Sequence, residues 1–126
     1  MEANSKEQII PMKYYSEQEM KSLRLRFEEK VLLWSQVSTR KMFGCPCYQV
    51  NGKLFAFLVT SGVVITQLDQ NDRAALSRQC QAAFFQAGEK IVKNWLMLSI
   101  KNQRDLNQIM PFVRKSYEAA LQKNRC

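Results

Sequence analysis

Apolar residues recur every three or four positions in two stretches of the chain, and each stretch predicts a helix. The first stripe predicts a helix over residues 17–35, with Ser16 and Glu19 at the spacing of a capping box. Its members are Met20, Leu23, Phe27, Val31 and Trp34. The second stripe predicts a C-terminal helix capped by Asp105, and Pro111 is expected to kink it or delay its start. Its members are Leu106, Ile109, Met110, Val113, Tyr117 and Leu121.

Between these stripes, runs rich in β-branched and aromatic residues predict an antiparallel sheet. Five strands are expected, at residues 38–42, 47–50, 53–59, 63–68 and 92–100. Asn51-Gly52 favours a type I′ hairpin turn, because both positions tolerate positive φ. A short helix is expected over residues 69–80, and residues 81–90 have no clear pattern apart from a turn at Gly88. The sequence therefore predicts an α+β fold: a meander plus one later strand, packed by the N- and C-terminal helices.

One predicted strand, residues 53–59, is apolar on both faces. Leu54, Ala56 and Leu58 alternate with Phe55, Phe57 and Val59. An antiparallel sheet with one wet face would not show this pattern. Either helices cover both faces or a second chain covers one of them, and we therefore predict a homodimer.

The length of 126 residues predicts one domain. Residues 1–15 have no period and are expected to form a flexible arm, which leaves residues 16–126 as the domain. The apolar runs are too short for a membrane span and no signal peptide is recognisable, so we expect a cytoplasmic protein with no membrane contact.

The chain contains no histidine, which excludes Ser-His and Cys-His nucleophile pairs and every metal site with a histidine ligand. Its four cysteines, without a signal sequence, indicate reduced thiols. We therefore predict a protein that is not an enzyme, with no catalytic residues, no metal site and no cofactor. The formal charge of +8 favours encounters with nucleic acid or acidic partners.

The run Lys41-Met42-Phe43-Gly44, which leads into the Asn51-Gly52 hairpin, resembles the N-terminal domain of the TfoX/Sxy family. The order of predicted elements over residues 16–122 is similar to that family's order. The resemblance implies helices packed on a five-strand sheet, similar to secretion chaperones. The resemblance also implies that longer members regulate natural competence and have a second, C-terminal domain, and we expect this chain to be a stand-alone N-terminal domain.

The most distinctive loop combines charge, glycine and thiols, and loops carry function disproportionately. We expect a functional surface there, formed by Arg40, Lys41, Phe43, Cys45 and Cys47. Cys45-Pro46-Cys47 is also typical of a redox or soft-metal pair, although a loop shaped by proline and lined by buried thiols is the simpler interpretation.

The C-terminal part is rich in basic residues and predicts a nucleic-acid patch, although solvated surface charge is the simpler interpretation. Its members are Lys101, Arg104, Arg114, Lys115, Lys123 and Arg125. The leading hypothesis is a non-enzymatic regulatory module that binds another protein. The alternatives are a nucleic-acid-binding accessory protein in transcription or competence regulation and, more weakly, a thiol redox or metal-binding protein.

Overall fold

The computed structural model describes residues 15–60, 62–87 and 89–123, which form three helices and one six-stranded sheet. The helices are α1 (Glu17–Val31), α2 (Gln70–Gln79) and α3 (Gln103–Lys123). The strands are β1 (Val37–Met42), β2 (Cys45–Val50), β3 (Lys53–Val59), β4 (Gly62–Ile65), β5 (Ala82–Ala87) and β6 (Lys90–Ser99). Their order in the sheet is β1-β2-β3-β4-β6-β5, and every neighbouring pair is antiparallel.

The α+β class and the antiparallel sheet are confirmed, but the prediction of five strands is wrong. The missed strand is β5, Ala82–Ala87, in the segment where the sequence shows no alternation. It forms because it pairs along the edge of β6. The predicted arm lies outside the described residues except for Tyr15, and the likeness to secretion chaperones stays a prediction. None of the described helices is both long and apolar enough to cross a membrane.

Helix α1 is shorter than predicted, for a local reason. Helix α1 ends at Val31, and Gln36 has a φ of 67°, which turns the chain into β1. Trp34 therefore lies beyond the helix, where its ring packs on Tyr117. Ser16 makes no side-chain cap; its N–H donates instead to the Thr60 hydroxyl at 2.9 Å.

The caps of the other two helices are side chains that accept backbone hydrogen bonds. Asp69 caps α2 as predicted, accepting from the Asp72 N–H at 2.8 Å. Helix α3 begins at Gln103, because Asn102 accepts from the N–H of Asp105 at 2.9 Å. Asp105 is thus in the first turn rather than at the cap. Pro111 lies inside the helix, so it does not delay the start.

A bulge in the β2–β3 pair changes which side chains face the helices. Tyr48 pairs with Ala56 and Gln49 pairs with Leu54, which leaves Phe55 as the extra residue. Phe55, Ala56 and Leu58 consequently pack in the main core beneath the helices, whereas Leu54, Phe57 and Val59 face the other side. The simple alternation that the sequence predicts for this strand is wrong at Leu54 and Phe55.

The second face of the sheet is covered by the end of the β5–β6 hairpin. The register shifts so that Phe84 pairs with Leu96 but Phe85 pairs with Val92. Three extra residues on β6 bend the hairpin over β3, and the Phe85 ring lies 5.2 Å from that of Phe57. A flat sheet would separate strands β3 and β5 by about 14 Å. The strand with two apolar faces is therefore explained within one chain, and the homodimer stays a prediction.

Candidate binding site

The tip of the β1–β2 hairpin displays an aromatic side chain on a tight turn. Phe43 and Gly44 have φ values of 55° and 79°, which is the conformation of a type I′ turn. Asn51-Gly52 adopts the same conformation, with φ values of 51° and 84°, as the sequence predicts. Phenylalanine is an uncommon residue at positive φ. Its side chain is 67% exposed, so the tip presents this ring outward.

A cleft of about 610 Å³ lies between α1 and the β1–β2 hairpin. The β1–β2 hairpin contributes three charged or polar residues of β1, one turn residue and one residue of β2. Helix α1 contributes the opposite wall together with Tyr15. The lining residues are Tyr15, Glu17, Arg24, Glu28, Thr39, Arg40, Lys41, Gly44 and Pro46. The cleft thus lies beside the segment that is most distinctive in the sequence.

The α1 wall of the cleft is a network centred on Arg24. Its guanidinium donates to both carboxylate oxygens of Glu17, at 2.8–3.2 Å, and to Glu28 at 3.0 Å. The Tyr15 hydroxyl donates to Glu17 at 2.6 Å. The hydrogen bond from Arg24, with that from Tyr15, lowers the pKa of Glu17 to about 2. Both carboxylates are therefore held by Arg24 rather than placed to exchange protons.

The floor of this network is the hydroxyl of Tyr48, which donates to Glu28 at 2.8 Å. Burial raises the pKa of Tyr48 well above its ordinary value, and the neighbouring Glu28 carboxylate raises it further. The phenol therefore stays protonated at neutral pH and orients Glu28. Its ring packs on Phe27 at 4.9 Å, which fixes α1 against β2.

On the β1 side, two exposed cations, Arg40 and Lys41, border the cleft. The described part of the chain gives neither of them an ion pair, in contrast to Arg24. They alternate along β1: Arg40 pairs with Cys47 and Lys41 pairs with Pro46. Their side chains therefore lean to opposite faces of the sheet, one on each side of the strand's outer edge.

The two cysteines of the predicted surface lie inside the protein. Cys45 and Cys47 belong to β2 itself, not to a loop, and pack with Phe57 and Val64 on the second face of the sheet. Burial raises the pKa of Cys45 to about 11 and also raises that of Cys47, against the opposing effect of Arg40. The prediction that the thiols lie in a loop of a functional surface is therefore wrong. Arg40, Lys41 and Phe43 are exposed along the β1 edge and at the hairpin tip, whereas both thiols are buried.

No three side chains of the metal-binding types lie close together within residues 15–60, 62–87 and 89–123. Cys80 is a half-buried free thiol at the end of α2, and burial raises its pKa. Its position on a different element leaves Cys45 and Cys47 without a third thiolate among the described residues.

The predicted basic patch is interrupted by acidic partners. Arg114 donates to Glu118 at 3.1 Å and its guanidinium lies 5.0 Å from the Trp34 ring. Lys115 lies 3.6 Å from Asp72. Lys101 and Arg104 are exposed near the start of α3. The Lys123 side chain and Arg125 lie outside the described residues.

Sequence reasoning missed the Arg24 network. Its Arg24–Glu28 pair has the i,i+4 spacing of a helical ion pair, and Glu17 lies two turns before Arg24, so half of the network could have been found. Nothing in the sequence indicates that Tyr48, a strand residue, reaches Glu28.

Comparison with known protein families shows which family the chain is related to. The family model of the TfoX N-terminal domain matches residues 29–120, about three quarters of the chain. The chain belongs to the TfoX N-terminal domain family. The match includes both strands of the hairpin and most of α3, and it starts within α1. The comparison with curated proteins gives no match.

Proposed function

We propose that this TfoX-type chain is a non-enzymatic regulatory module that binds a protein partner as an added strand on the outer edge of β1. The single observation that carries the proposal is that β1 is an edge strand with no neighbour on its outer side among the described residues, bordered by exposed cations and by the cleft. The partner segment is extended and acidic. The cytoplasmic compartment expected from the sequence remains part of the proposal.

The register of the hairpin supports the edge as a binding surface. Met42 and Cys45 flank the two-residue turn and are a hydrogen-bonded pair, so Arg40 and Ser38 are also bonded to β2. Thr39 and Lys41 therefore direct their N–H and C=O groups away from the sheet. A partner strand would satisfy these four groups, which is how β-augmentation provides affinity.

Charge supports an acidic partner. Arg40 and Lys41 border the edge from its two faces, so glutamate or aspartate at successive positions of an added strand would meet one cation each. Glu17 and Glu28 do not compete for these cations, because Arg24 binds both carboxylates. Phe43 at the tip adds apolar surface at the end of such a strand.

The proposal that the protein is not an enzyme is supported by the side chains of the cleft and by the buried cysteines. Both carboxylates of the cleft are held by ion pairs with Arg24, Tyr48 holds its proton, and the chain has no histidine. The buried, neutral state of Cys45 and Cys47 supports a packing role over redox or metal chemistry.

The test is fluorescence anisotropy with a labelled peptide that repeats two glutamates followed by two valines, so that successive glutamates face both cations. The same peptide with lysine in place of glutamate is the opposite-charge probe and should bind more weakly. Thr39→Pro removes one outward N–H but no hydrogen bond to β2, and proline is tolerated on edge strands. We expect Thr39→Pro and the double change Arg40→Glu/Lys41→Glu each to weaken binding of the acidic peptide at least tenfold.

The matched control is Lys101→Glu/Arg104→Glu, which changes the net charge by the same amount around the start of α3. Equal weakening by this control would show that only the overall charge matters and would contradict the proposal. No binding of the acidic peptide by the unchanged chain would also contradict it.

A nucleic-acid accessory role is the second candidate, favoured by the formal charge of +8 and by exposed Lys101 and Arg104. It is tested by anisotropy with single- and double-stranded DNA across a salt series. Log affinity that falls steeply with log salt, and that Lys101→Glu/Arg104→Glu weakens, would support it. No binding at low salt would exclude it.

A further inference from the structure

We infer that β5, the opposite edge of the sheet, is a self-association surface on which two copies of this chain pair antiparallel about Ala83. The resulting dimer continues the sheet through β5 of both chains. It does not use β1, so each copy keeps its candidate binding site.

The sheet register shows which groups of β5 face outward. Hydrogen-bonded and non-bonded pairs alternate from strand to strand, and following them from the β1–β2 turn makes Ala83–Met97 a bonded pair. Ala82 and Phe84 therefore direct their N–H and C=O groups away from β6. With Ala83 on the two-fold axis, Ala82 of each copy meets Phe84 of the other, and four backbone hydrogen bonds form.

Side chains along this edge are complementary in size. Phe84 is 53% exposed and stands on the same face as Ala82, beside α2. A groove of about 500 Å³ separates α2 from this edge, and the small side chains of Ala74, Ser77 and Ala82 line part of it. In the paired arrangement the partner's Phe84 lies opposite Ala82 and fills this groove. At the axis, the two copies of Ala83 leave room for close approach.

Charge explains why the second copy is the occupant. Edge strands in soluble proteins are commonly protected by charged side chains or proline. β1 has Arg40 and Lys41, whereas Ala82–Ala87 has no charged residue and no proline. Two chains of formal charge +8 repel each other over most of their surfaces, and an uncharged, self-complementary edge is where they can approach.

The contact is one strand edge and one aromatic side chain per copy, so the dimer is expected to be reversible and concentration-dependent. Analytical ultracentrifugation should show the 14.7 kDa chain shifting toward twice that mass as the concentration rises. Phe84→Glu should raise the dimer dissociation constant at least tenfold. Phe43→Glu places the same charge on the exposed tip of the β1–β2 hairpin and should leave the dimer dissociation constant unchanged. Circular dichroism verifies that both variants fold.

A disulfide at the axis tests the register. The two Ala83 residues form a non-bonded pair with Cα atoms about 4.5 Å apart, which a disulfide can span. In a Cys80→Ser/Cys126→Ser background, Ala83→Cys should give a covalent dimer with oxidised glutathione, which takes up the two electrons. Ser38→Cys on β1 is the matched control and should form little covalent dimer under the same conditions.

A monomer at every concentration would overturn the inference and leave the edge open to a strand from another protein. A dimer that persists in Phe84→Glu, or that cross-links equally through Ser38→Cys, would place the contact elsewhere and overturn it as well.

Discussion

The hydroxyl of Ser116, on α3, donates a hydrogen bond to the backbone carbonyl of Phe55 at 2.7 Å. The hydroxyl oxygen of Ser116 also accepts a hydrogen bond from the backbone N–H of Gln67 at 3.0 Å. Phe55 is the extra residue of the β3 bulge, where the regular ladder is interrupted. The Phe55 carbonyl also accepts from the backbone N–H of Thr66 at 3.2 Å. The fully buried serine therefore adds a second hydrogen bond at the bulge, and it joins α3 to β3 and to the segment that follows β4.

We expect Ser116→Ala to lower the free energy of unfolding by about 2 kcal/mol, since two hydrogen bonds of about 1 kcal/mol each are lost. Urea denaturation followed by tryptophan fluorescence measures this directly. Ser77→Ala, an exposed serine on α2, is the control and should change stability by less than about 0.5 kcal/mol. Similar small changes in both variants would mean that Ser116 only fills space.

The bulge also shows where sequence reasoning about the fold stops. Local signals predict α1 and α3 from their apolar stripes, α2 from its helix-start residues, and five of the six strands from β-branched and aromatic runs between turns. It cannot predict β5, whose pairing depends on the neighbouring strand, nor the register shift at Phe55, which depends on Tyr48 and on Ser116 far along the chain. Such interactions join distant residues and leave no local pattern.

The phenol of Tyr48 makes stability depend on pH in the alkaline range. Its pKa is raised in the folded chain, so folding retains a proton that the unfolded chain loses near pH 10. This contribution is complete below about pH 10 and is lost as the pH rises toward the folded-state pKa.

We expect the unfolding free energy to fall above about pH 10 by up to about 1.4 kcal/mol per pH unit from this one proton. Tyr48→Phe should remove that part of the slope and should cost about 1–2 kcal/mol at neutral pH, where the hydrogen bond to Glu28 is lost. Burial and the hydrogen bond to Glu17 raise the pKa of Tyr15 as well, so Tyr15→Phe, at the other end of the Arg24 network, should remove a separate part of the slope. An unchanged slope in Tyr48→Phe would contradict the assignment.

The candidate site was only partly predictable. Arg40, Lys41 and Phe43 stand out in the sequence because charge and an aromatic residue flank a glycine turn. The same unusual composition drew Cys45 and Cys47 into the prediction, although both face the interior. Strand geometry decides this: the two-residue turn ends at Gly44, so β2 starts two residues earlier than expected and its alternate residues, the thiols, point inward.

Those thiols should react slowly in the folded protein. With a pKa of about 11, about one Cys45 side chain in ten thousand is ionised at pH 7. We expect alkylation by iodoacetamide at pH 7, mapped by mass spectrometry, to modify Cys45 and Cys47 only after denaturation. Cys80, which is less buried, is the internal comparison and should react first. Rapid modification of Cys45 in the native chain would instead support the redox alternative.

Phe43 is the position where stability and binding should respond in opposite directions. Its φ of 55° is costly for a bulky residue but common for asparagine, and Asn51 occupies the corresponding position of the other type I′ turn. We expect Phe43→Asn to raise the free energy of unfolding by about 0.5–1 kcal/mol, measured by urea denaturation. If the exposed ring contacts the proposed partner, the same variant should bind the acidic peptide more weakly.

Asn51→Phe, the reverse exchange on the β2–β3 turn, is the control: it should destabilise the chain by a similar amount and leave peptide binding unchanged. Destabilisation by Phe43→Asn would mean that the aromatic ring contributes to folding, and the strained turn would then need no functional explanation.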